Sequence, residues 1–596
     1  MSTYNAPLKD MLFVLNEIAG LAEIAKLSGY EEATPDLVEA VLEEANKFAS
    51  GVLAPINWSG DREGAKWKDK AVTTPAGFAA AYQQFVDGGW NGLSCDPEHG
   101  GQGMPKVLAA AVNEMWRSAN IAFALCPMLT NGAIEALELC GSPEQKSQYL
   151  PNMIAGKWTG TMNLTEPQAG SDLAAIRTRA VPQGDGTYKV FGQKIFITYG
   201  DHDFTENTIH LVLARTPDAP EGVKGISLFV VPKFLVNDDG SLGARNDAYC
   251  VSIEHKLGIH ASPTCVMAFG DGEGAIGTLV GKENEGLKYM FIMMNAARFG
   301  VGLEGLSLGE AAYQKAATFA RERIQGRAIE GSAASVAIIQ HPDVRRMLMD
   351  MRSRTEAMRA LAYWVAGVND IAARHADAAT RQSTQALVDL LIPIVKGWST
   401  ETGNALTYTG VQVHGGMGFI EETGAAQFMR DARITTSYEG TTGIQANDLI
   451  GRKIARDGGA TIAVLLAAMS VTNDELKSQS NADLRVIGNA LAGGIEALQA
   501  AVNYIVANYG KDVRTVALGA VPFLHLLGTV AGCWVLARSA LVAAAKITAG
   551  ETDPFFAAKI ITARYFAEHS MVAAPGLAQE IVAGGASGLA LAEDLF

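Results

Sequence analysis

The sequence predicts a mainly α-helical protein with one small β domain set into it and an additional helical domain at its C-terminal end. Three observations carry this. Apolar residues recur every three or four positions through most of the chain. Near Thr159 the pattern changes to short runs rich in β-branched and aromatic residues. After Gly281 helical spacing returns and dominates. The chain has 596 residues, too many for a single hydrophobic core. It is 48% hydrophobic and 19% charged, which excludes a disordered scaffold.

Taken in order, residues 1–34 read as an N-terminal extension. Residues 35–158 read as an α-helical domain, in which Leu37, Val41, Ala45 and Phe48 form one apolar stripe and Leu108 to Trp116 opens another. Its long irregular loop runs from Gly89 to Gly103, where four more glycines and Pro97 prevent a helix from continuing. Residues 159–281 read as the β domain, with strands at Tyr188–Phe191, Lys194–Thr198, Thr208–Ala214, Ile226–Val231 and Thr264–Phe269. Residues 282–454 read as a helical bundle, in which Val344, Leu348, Met351, Thr355, Met358, Ala362 and Val365 lie along one stripe. In residues 455–596, Leu484, Ile487, Leu491, Ile495, Leu498, Val502 and Ile505 repeat at helical spacing. Between Arg514 and Arg538, Thr515 to Ala537 carry no formal charge, a length able to cross a bilayer. Gly519, Pro522, His525, Gly528 and Gly532 interrupt it, so we read a buried core helix.

Charge narrows the function. Lys and Arg number 48 against 63 Asp and Glu, a net −15, which offers no footprint for a phosphate backbone or an anionic membrane. Six scattered cysteines without a CxxC pattern point to a reducing compartment and no structural metal. The first twenty residues lack the features of a secretory or organelle signal, and the expected location is the cytoplasm.

Four clusters carry chemistry. Met162-Asn-Leu-Thr-Glu-Pro-Gln-Ala-Gly-Ser-Asp172 is a tight loop whose hydroxyls and N–H groups suit the edge of a planar heterocycle, though alone it is also a capped turn. Lys194-Ile-Phe-Ile-Thr198 offers an aromatic face and a hydroxyl, or simply a strand. Gln412-Val-His-Gly-Gly-Met-Gly-Phe419 is a bare turn that could approach phosphates, without the spacing of a nicotinamide-type fold. In Ile434-Thr-Thr-Ser-Tyr-Glu-Gly-Thr-Thr-Gly-Ile-Gln445 the one carboxylate, Glu439, has few charges nearby in sequence. Desolvation would raise its pKa and suit it to proton abstraction; a helix-start glutamate is the alternative.

In this order and spacing the four clusters resemble the acyl-CoA dehydrogenase flavoprotein family over about residues 35 to 455. The Gly89–Gly103 loop, the Gly141–Pro151 run and the Lys256–Thr264 stretch belong to the same resemblance. It implies an α domain, a β barrel-like domain and a four-helix α domain, with FAD as cofactor. Met162, Leu164, Thr165, Gly170 and Ser171 then resemble contacts to the flavin and the substrate thioester. Phe196, Ile197 and Thr198 resemble the segment behind the isoalloxazine ring. Arg323 and Gln325 resemble residues reaching the FAD pyrophosphate of an adjacent subunit. Gln412, Gly415 and Gly416 resemble the loop at its adenosine part, and Thr441 a further phosphate contact. Asn295 and Arg298 match positions near the CoA moiety, and Ser171 and Gly440 positions at the substrate. Glu439 matches the catalytic base. Some relatives carry the base at the position aligned with Ala297, and alanine cannot take a proton.

The resemblance implies an oxidoreductase that forms an α,β double bond in a short- to medium-chain acyl-CoA and passes electrons to electron-transfer flavoprotein. A homodimer or dimer of dimers is implied, with neither nucleic acid nor membrane as partner. Met162, Asn163, Gly326, Gln427 and Gly443 depart from the usual family residues and affect FAD contacts more than the reaction. The first residues and the C-terminal addition resemble a large-subunit bacterial branch, for which a methylthio-substituted acyl-CoA is one substrate. Phe123, Leu125, Met128 and Leu129 are candidates for the pocket floor or for core. An oxidase would use the same site, and DNA-binding relatives use a C-terminal addition. Here that addition, residues 456–596, carries nine Lys and Arg against twelve Asp and Glu, which disfavours DNA.

Overall fold

The computed structural model describes residues 4–596 and divides them into two compact units. Its helices include α1 (Leu8–Phe13), α2 (Lys106–Cys140), α3 (Gly286–Glu322), α4 (Pro342–Arg374), α5 (Ala378–Val413), α6 (Ala425–Ala432), α7 (Thr442–Asp448), α8 (Ala460–Ser478), α9 (Ala482–Asn508), α10 (Ala520–Thr548) and α11 (Pro554–His569).

The first unit holds Lys47–Met104 and Ala119–Ala297. Its principal sheet comprises β1 (Trp158–Asn163), β2 (Arg179–Pro182), β3 (Thr187–Thr198), β4 (Asn207–Ala214), β5 (Ser227–Pro232), β6 (Ala248–Ile253), β7 (Thr264–Phe269) and β8 (Ala275–Val280). The order is β6-β7-β3-β8-β5-β4-β1, with β2 also on β3 and only β1 and β4 parallel. Its core packs Val190, Ile197, Val212, Phe229, Val231, Cys265, Met267 and Phe269. The two strands expected at Tyr188–Phe191 and Lys194–Thr198 are one, β3, running through Gly192. There φ is 154° and a Cβ would lie 2.4 Å from Thr178 Oγ1, so only glycine lets the strand continue. A short hairpin, Lys66–Lys68 with Ala71–Thr73, interrupts the segment read as wholly helical. Asp69 and Lys70 turn it with φ of 51° and 63°, the positive pair that a two-residue hairpin requires.

The second unit holds Tyr4–Asn46, Pro105–Ser118 and Arg298–Phe596. In the Pro35–Phe48 helix the buried residues are Val38, Leu42, Ala45 and Phe48, so Ala45 and Phe48 lie where expected, while Leu37 is exposed. The expected stripe was one residue out of register at Leu37 and Val41, because both sets recur at helical spacing and only the neighbours choose between them. Helices α3 and α5 meet backbone to backbone. A Cβ at Gly305 would lie 2.3 Å from Ser399 O, and one at Gly403 2.3 Å from Gly305 O. That close approach brings Glu304 of α3 and Lys396 of α5 toward one buried place. Among the described residues three helices, α2, α9 and α10, are long and apolar enough to cross a membrane by length and composition, or four if the bent pair Thr442–Ala455 and Ala460–Ser478 is one span. From Phe523 to Ala537, however, all of α10 but His525 and Thr529 is buried in protein. Trp398 of α5 lies so near that a Cβ at Gly528 would meet its ring at 2.2 Å. Its lack of charge therefore reflects a core position within this unit.

Candidate active site

Within the second unit the chain leaves α6, turns through Arg433–Thr436 and reaches Tyr438, Glu439 and Gly440 before α7 begins. Glu439 has φ 55° and Gly440 φ 87°, so two successive residues are left-handed. For glutamate this conformation costs of order 1–3 kcal/mol, and it persists only where surrounding contacts over-determine it. They do so here. Lys396 Nζ donates to Gly440 O at 2.7 Å, and Gln445 Nε2 donates to Glu439 O at 3.1 Å. The Tyr438 hydroxyl donates to Glu304, and Thr442 Oγ1 donates to Glu401 Oε1 at 2.5 Å. Asn404 Nδ2 holds Ala432 O at 2.9 Å. Lys396, Glu401 and Asn404 all belong to α5, so a single helix grips the whole segment.

Electrostatics then act on Glu439. Burial among protein atoms pushes its carboxyl up to about 7, with Arg298 and Lys396 pulling it down and Glu304 adding to the rise. The residue is half-buried and keeps an accessible edge. Burial likewise pushes Glu304 up to about 7 against Arg117, the Tyr438 hydroxyl and Lys396. It pulls Lys396 down to about 8 against Glu439, Glu304 and Glu401. A carboxylate titrating near neutrality is a competent general base, protonated and idle below its pKa and ionised above it. The Glu439 N–H donates to no described residue and remains available to an acceptor beside the carboxylate.

The first unit carries the other sequence-selected residues. Met162 is buried near the end of β1; in the loop that follows, Leu164 is buried, Thr165 is half-buried, and Gly170 and Ser171 are exposed. The loop is organised by Glu166, which sequence reasoning passed over. Glu166 Oε1 accepts from Lys194 Nζ at 2.8 Å, from Thr178 Oγ1 at 2.6 Å and from Thr178 N at 3.0 Å; Oε2 accepts from Arg177 N at 2.7 Å. Burial would raise this carboxyl, but Lys194 and the hydrogen bonds hold it down to about 2. A lysine beside the apolar run Ile195–Ile197 was the available signal. In β3 the register against β7 shifts between Cys265 and Met267. At that irregularity Phe196 has φ 60° and is 58% exposed, Ile197 is buried in the sheet core, and Thr198 is half-buried. Phe196 and Thr198 can therefore present side chains outward, and Ile197 only backbone. Phe123, Leu125, Met128 and Leu129 are all buried.

Elsewhere in the second unit, Arg323 and Gln325 are exposed on the return after α3, where Arg323 Nη2 donates to Gln325 Oε1 at 3.4 Å. Gln412, Gly415 and Gly416 are exposed at the end of α5, and nothing lies within 4 Å of a Cβ built on either glycine. Thr441 Oγ1 accepts from Ile444 N at 3.3 Å as the cap of α7, which leaves its O–H to donate. Asn295, on the part of α3 that belongs to the first unit, is exposed, whereas Arg298, on the part in the second, is buried, subject to the charges of Asp448 and Glu439. Arg298 thus acts electrostatically on Glu439 from a buried position. Glu304, Lys396, Tyr438, Gln445 and Arg117 were missed because each is distant in sequence from Glu439 or ordinary in type.

Comparison with known proteins agrees with this arrangement. Residues 36–157, 161–271 and 284–454 match the acyl-CoA dehydrogenase N-terminal, middle and C-terminal domain families. Residues 460–592 match the family described as acetyl-CoA dehydrogenase C-terminal like. The chain is 51% identical over 571 residues to 3-methylmercaptopropionyl-CoA dehydrogenase of Ruegeria pomeroyi, covering 96% of each chain. It is 35% identical over 589 residues to the broad-specificity linear acyl-CoA dehydrogenase FadE5 of Mycobacterium tuberculosis, again covering 96% of each. Its fold is like that of an acyl-CoA dehydrogenase from Bacillus anthracis crystallised with FAD, at TM-score 0.74 and 19% identity over 100% of this chain and 94% of that one. Four domain matches run in order from residue 36 to 592 and two relatives are alike along nearly their whole length, so the chain belongs to the acyl-CoA dehydrogenase family.

Proposed function

We propose that the protein is an FAD-dependent enzyme that converts a short- to medium-chain acyl-CoA to its trans-2-enoyl-CoA, with Glu439 as the base. The carrying observation is a carboxylate raised to about 7 on a left-handed, multiply anchored turn, with its own N–H available. That N–H donates to the thioester carbonyl and stabilises the charge that develops there as the α-proton leaves. The Glu439 carboxylate accepts the proton, and Lys396 and Gln445 keep the turn in place while it does.

Each unit by itself offers groups of the kind a flavin dinucleotide takes. Thr165, Ser171 and Thr198 hydroxyls are engaged by no described residue, and Phe196 presents an open aromatic face. Arg323 and Gln325 supply charge and amide, and Gly415 and Gly416 leave bare backbone for a phosphate or sugar edge. When bound, FAD supplies the acceptor for the hydride leaving the β-carbon. Arg323→Ala is expected to purify with much less flavin than the parent and to regain it only at raised FAD concentration. Retention of full flavin content through gel filtration would remove Arg323 from the cofactor site.

Electron-transfer flavoprotein is the proposed electron acceptor, the cytoplasm the proposed location, and a homodimer or dimer of dimers the proposed assembly. The testing experiment is an acyl-CoA panel with an artificial electron acceptor. The named relatives act on 3-methylmercaptopropionyl-CoA and on linear acyl-CoAs. A thioether sulfur is nearly as apolar as the methylene it replaces, so a pocket separates the two by about tenfold at most. Overlapping activity on C4 to C8 chains and on the methylthio analogue is expected. Higher kcat/KM on palmitoyl-CoA than on any of these defeats the chain-length assignment. Hydrogen peroxide formed under air in step with enoyl-CoA assigns the protein to the oxidases instead.

A further inference from the structure

We propose that Glu304, acting through Tyr438, and Lys396 are positioning residues that clamp the Glu439 turn from two helices and, by their opposite charges, set the basicity of Glu439. The inference rests on the reading of Glu439 as the base and assigns it its support.

The geometry is specific. Glu439 is flanked on both sides by residues tied to wholly buried charged side chains. On its N-terminal side, the Tyr438 hydroxyl donates to Glu304 of α3. On its C-terminal side, Gly440 O accepts from Lys396 of α5 at 2.7 Å. Both charged side chains are 0% exposed. A left-handed glutamate between two such tethers cannot relax to ordinary backbone without breaking one of them.

A merely structural tether would not require charge. Glu304 Oε2 accepts from the Tyr438 hydroxyl, but buried Oε1 has no partner among the described residues. A buried carboxylate oxygen left unsatisfied is unfavourable and calls for a compensating role. Its negative charge raises the pKa of Glu439, while Lys396 and Arg298 lower it. The charged and titratable groups around the turn are Arg298 and Glu304 from α3, Arg117 from α2, Lys396 and Glu401 from α5, Tyr438 itself, and Asp448 and Arg452 after it. Of these, Glu304 and Lys396 both act on the charge of Glu439 and, through hydrogen bonds, on its backbone. Their replacement therefore has a signature that loss of packing lacks, namely shifts of opposite sign.

The test is single-turnover flavin bleaching by butanoyl-CoA as a function of pH in the FAD-loaded full-length protein. Affinity for an unreactive butyl thioether of CoA, FAD content and melting temperature are measured alongside. In the parent, the rate should rise with pH as Glu439 ionises. Glu304→Gln keeps an acceptor for Tyr438 but removes the charge, and should move this limb down by roughly half to one pH unit. Lys396→Gln keeps a donor but removes the opposite charge, and should move it up by a similar amount. Tyr438→Phe should lower the limiting rate about tenfold with thioether affinity within about threefold, the split expected when the reacting geometry is lost rather than binding. Shifts of the same sign, or none, together with a parent-like Tyr438→Phe rate, overturn the proposal. So do rate losses matched by equal losses of FAD or melting temperature. Should Lys396→Gln fail to fold, the Glu304→Gln limb and the Tyr438→Phe split decide. Glu439→Gln separates the two levels. If it bleaches at the parent rate, the base reading fails and takes the clamp with it; if it is dead while the clamp variants behave as the parent, the clamp alone fails.

Discussion

Glu439→Gln is expected to retain FAD and to bind acyl-CoA near the parent affinity while losing flavin reduction by roughly a hundred- to ten-thousandfold, the usual weight of a positioned general base. Glutamine is nearly isosteric with glutamate, so the left-handed turn, the Lys396 bond to Gly440 O and the Gln445 bond to Glu439 O have no reason to change. The backbone N–H also remains to meet the thioester. What disappears is the carboxylate proposed to take the α-proton. Anaerobic stopped-flow bleaching against calorimetric binding of an unreactive thioether measures the two quantities separately. A bleaching rate within tenfold of the parent places the base elsewhere. In the parent the acid limb should lie near the value to which burial raises Glu439, about 7, with the protonated form below it inactive.

Arg359→Leu is expected to destabilise the second unit by about 3–5 kcal/mol, the range for removing one partner of a buried ion pair. Arg359 is 1% exposed and donates to Glu114 Oε1 at 2.6 Å, Glu310 Oε2 at 2.7 Å and Asp10 Oδ2 at 2.7 Å. The Tyr363 hydroxyl also donates to Glu114, at 2.6 Å. Lys559 of α11 continues the network to Asp10 and Glu356, each at 2.7 Å. One cation thus joins α1, α2, α3 and α4, and the network reaches the C-terminal addition through Asp10. Leucine would strand Glu114 and Glu310 without a counter-charge in a dry site. The contrasting variant is Asp553→Asn, whose pair with Lys9 is exposed and whose loss should leave stability nearly unchanged. Urea midpoints for the two variants make the comparison, and equal shifts would refute the buried-network account. Acid should weaken the same network. Burial pushes Asp10 up, but Lys559 and Arg359 hold it down at about 2, below its ordinary 3.8. Its contribution is complete above the unfolded value and is lost as pH falls from there toward 2.

Much of this protein was legible in the order of its residues. The change of hydrophobic period near Thr159 and back after Gly281 located the β insertion, because side-chain alternation in strands and three-to-four spacing in helices are local consequences of backbone geometry. Glu439 was legible because a lone carboxylate beside a glycine in a charge-poor segment invites desolvation. The uncharged run at Thr515–Ala537 had two readings, membrane span and core helix, and Trp398 against Gly528 makes this run a core helix within its unit. Other matters belonged to tertiary structure alone. The Pro35–Phe48 helix carries two overlapping apolar stripes, and packing chose Val38 and Leu42 over Leu37 and Val41. Phe196 turns outward only because β3 slips register against β7, a decision made by the pairing of two strands. The 135 positions between Glu304 and Glu439 hide any pattern between them. They come together because Gly302, Gly305 and Gly403 let two helices touch at the backbone. Local sequence sets which elements form and which side chain can do chemistry. The strength of that side chain as a base depends on distant charges and on the exclusion of water, and only the packed structure supplies both.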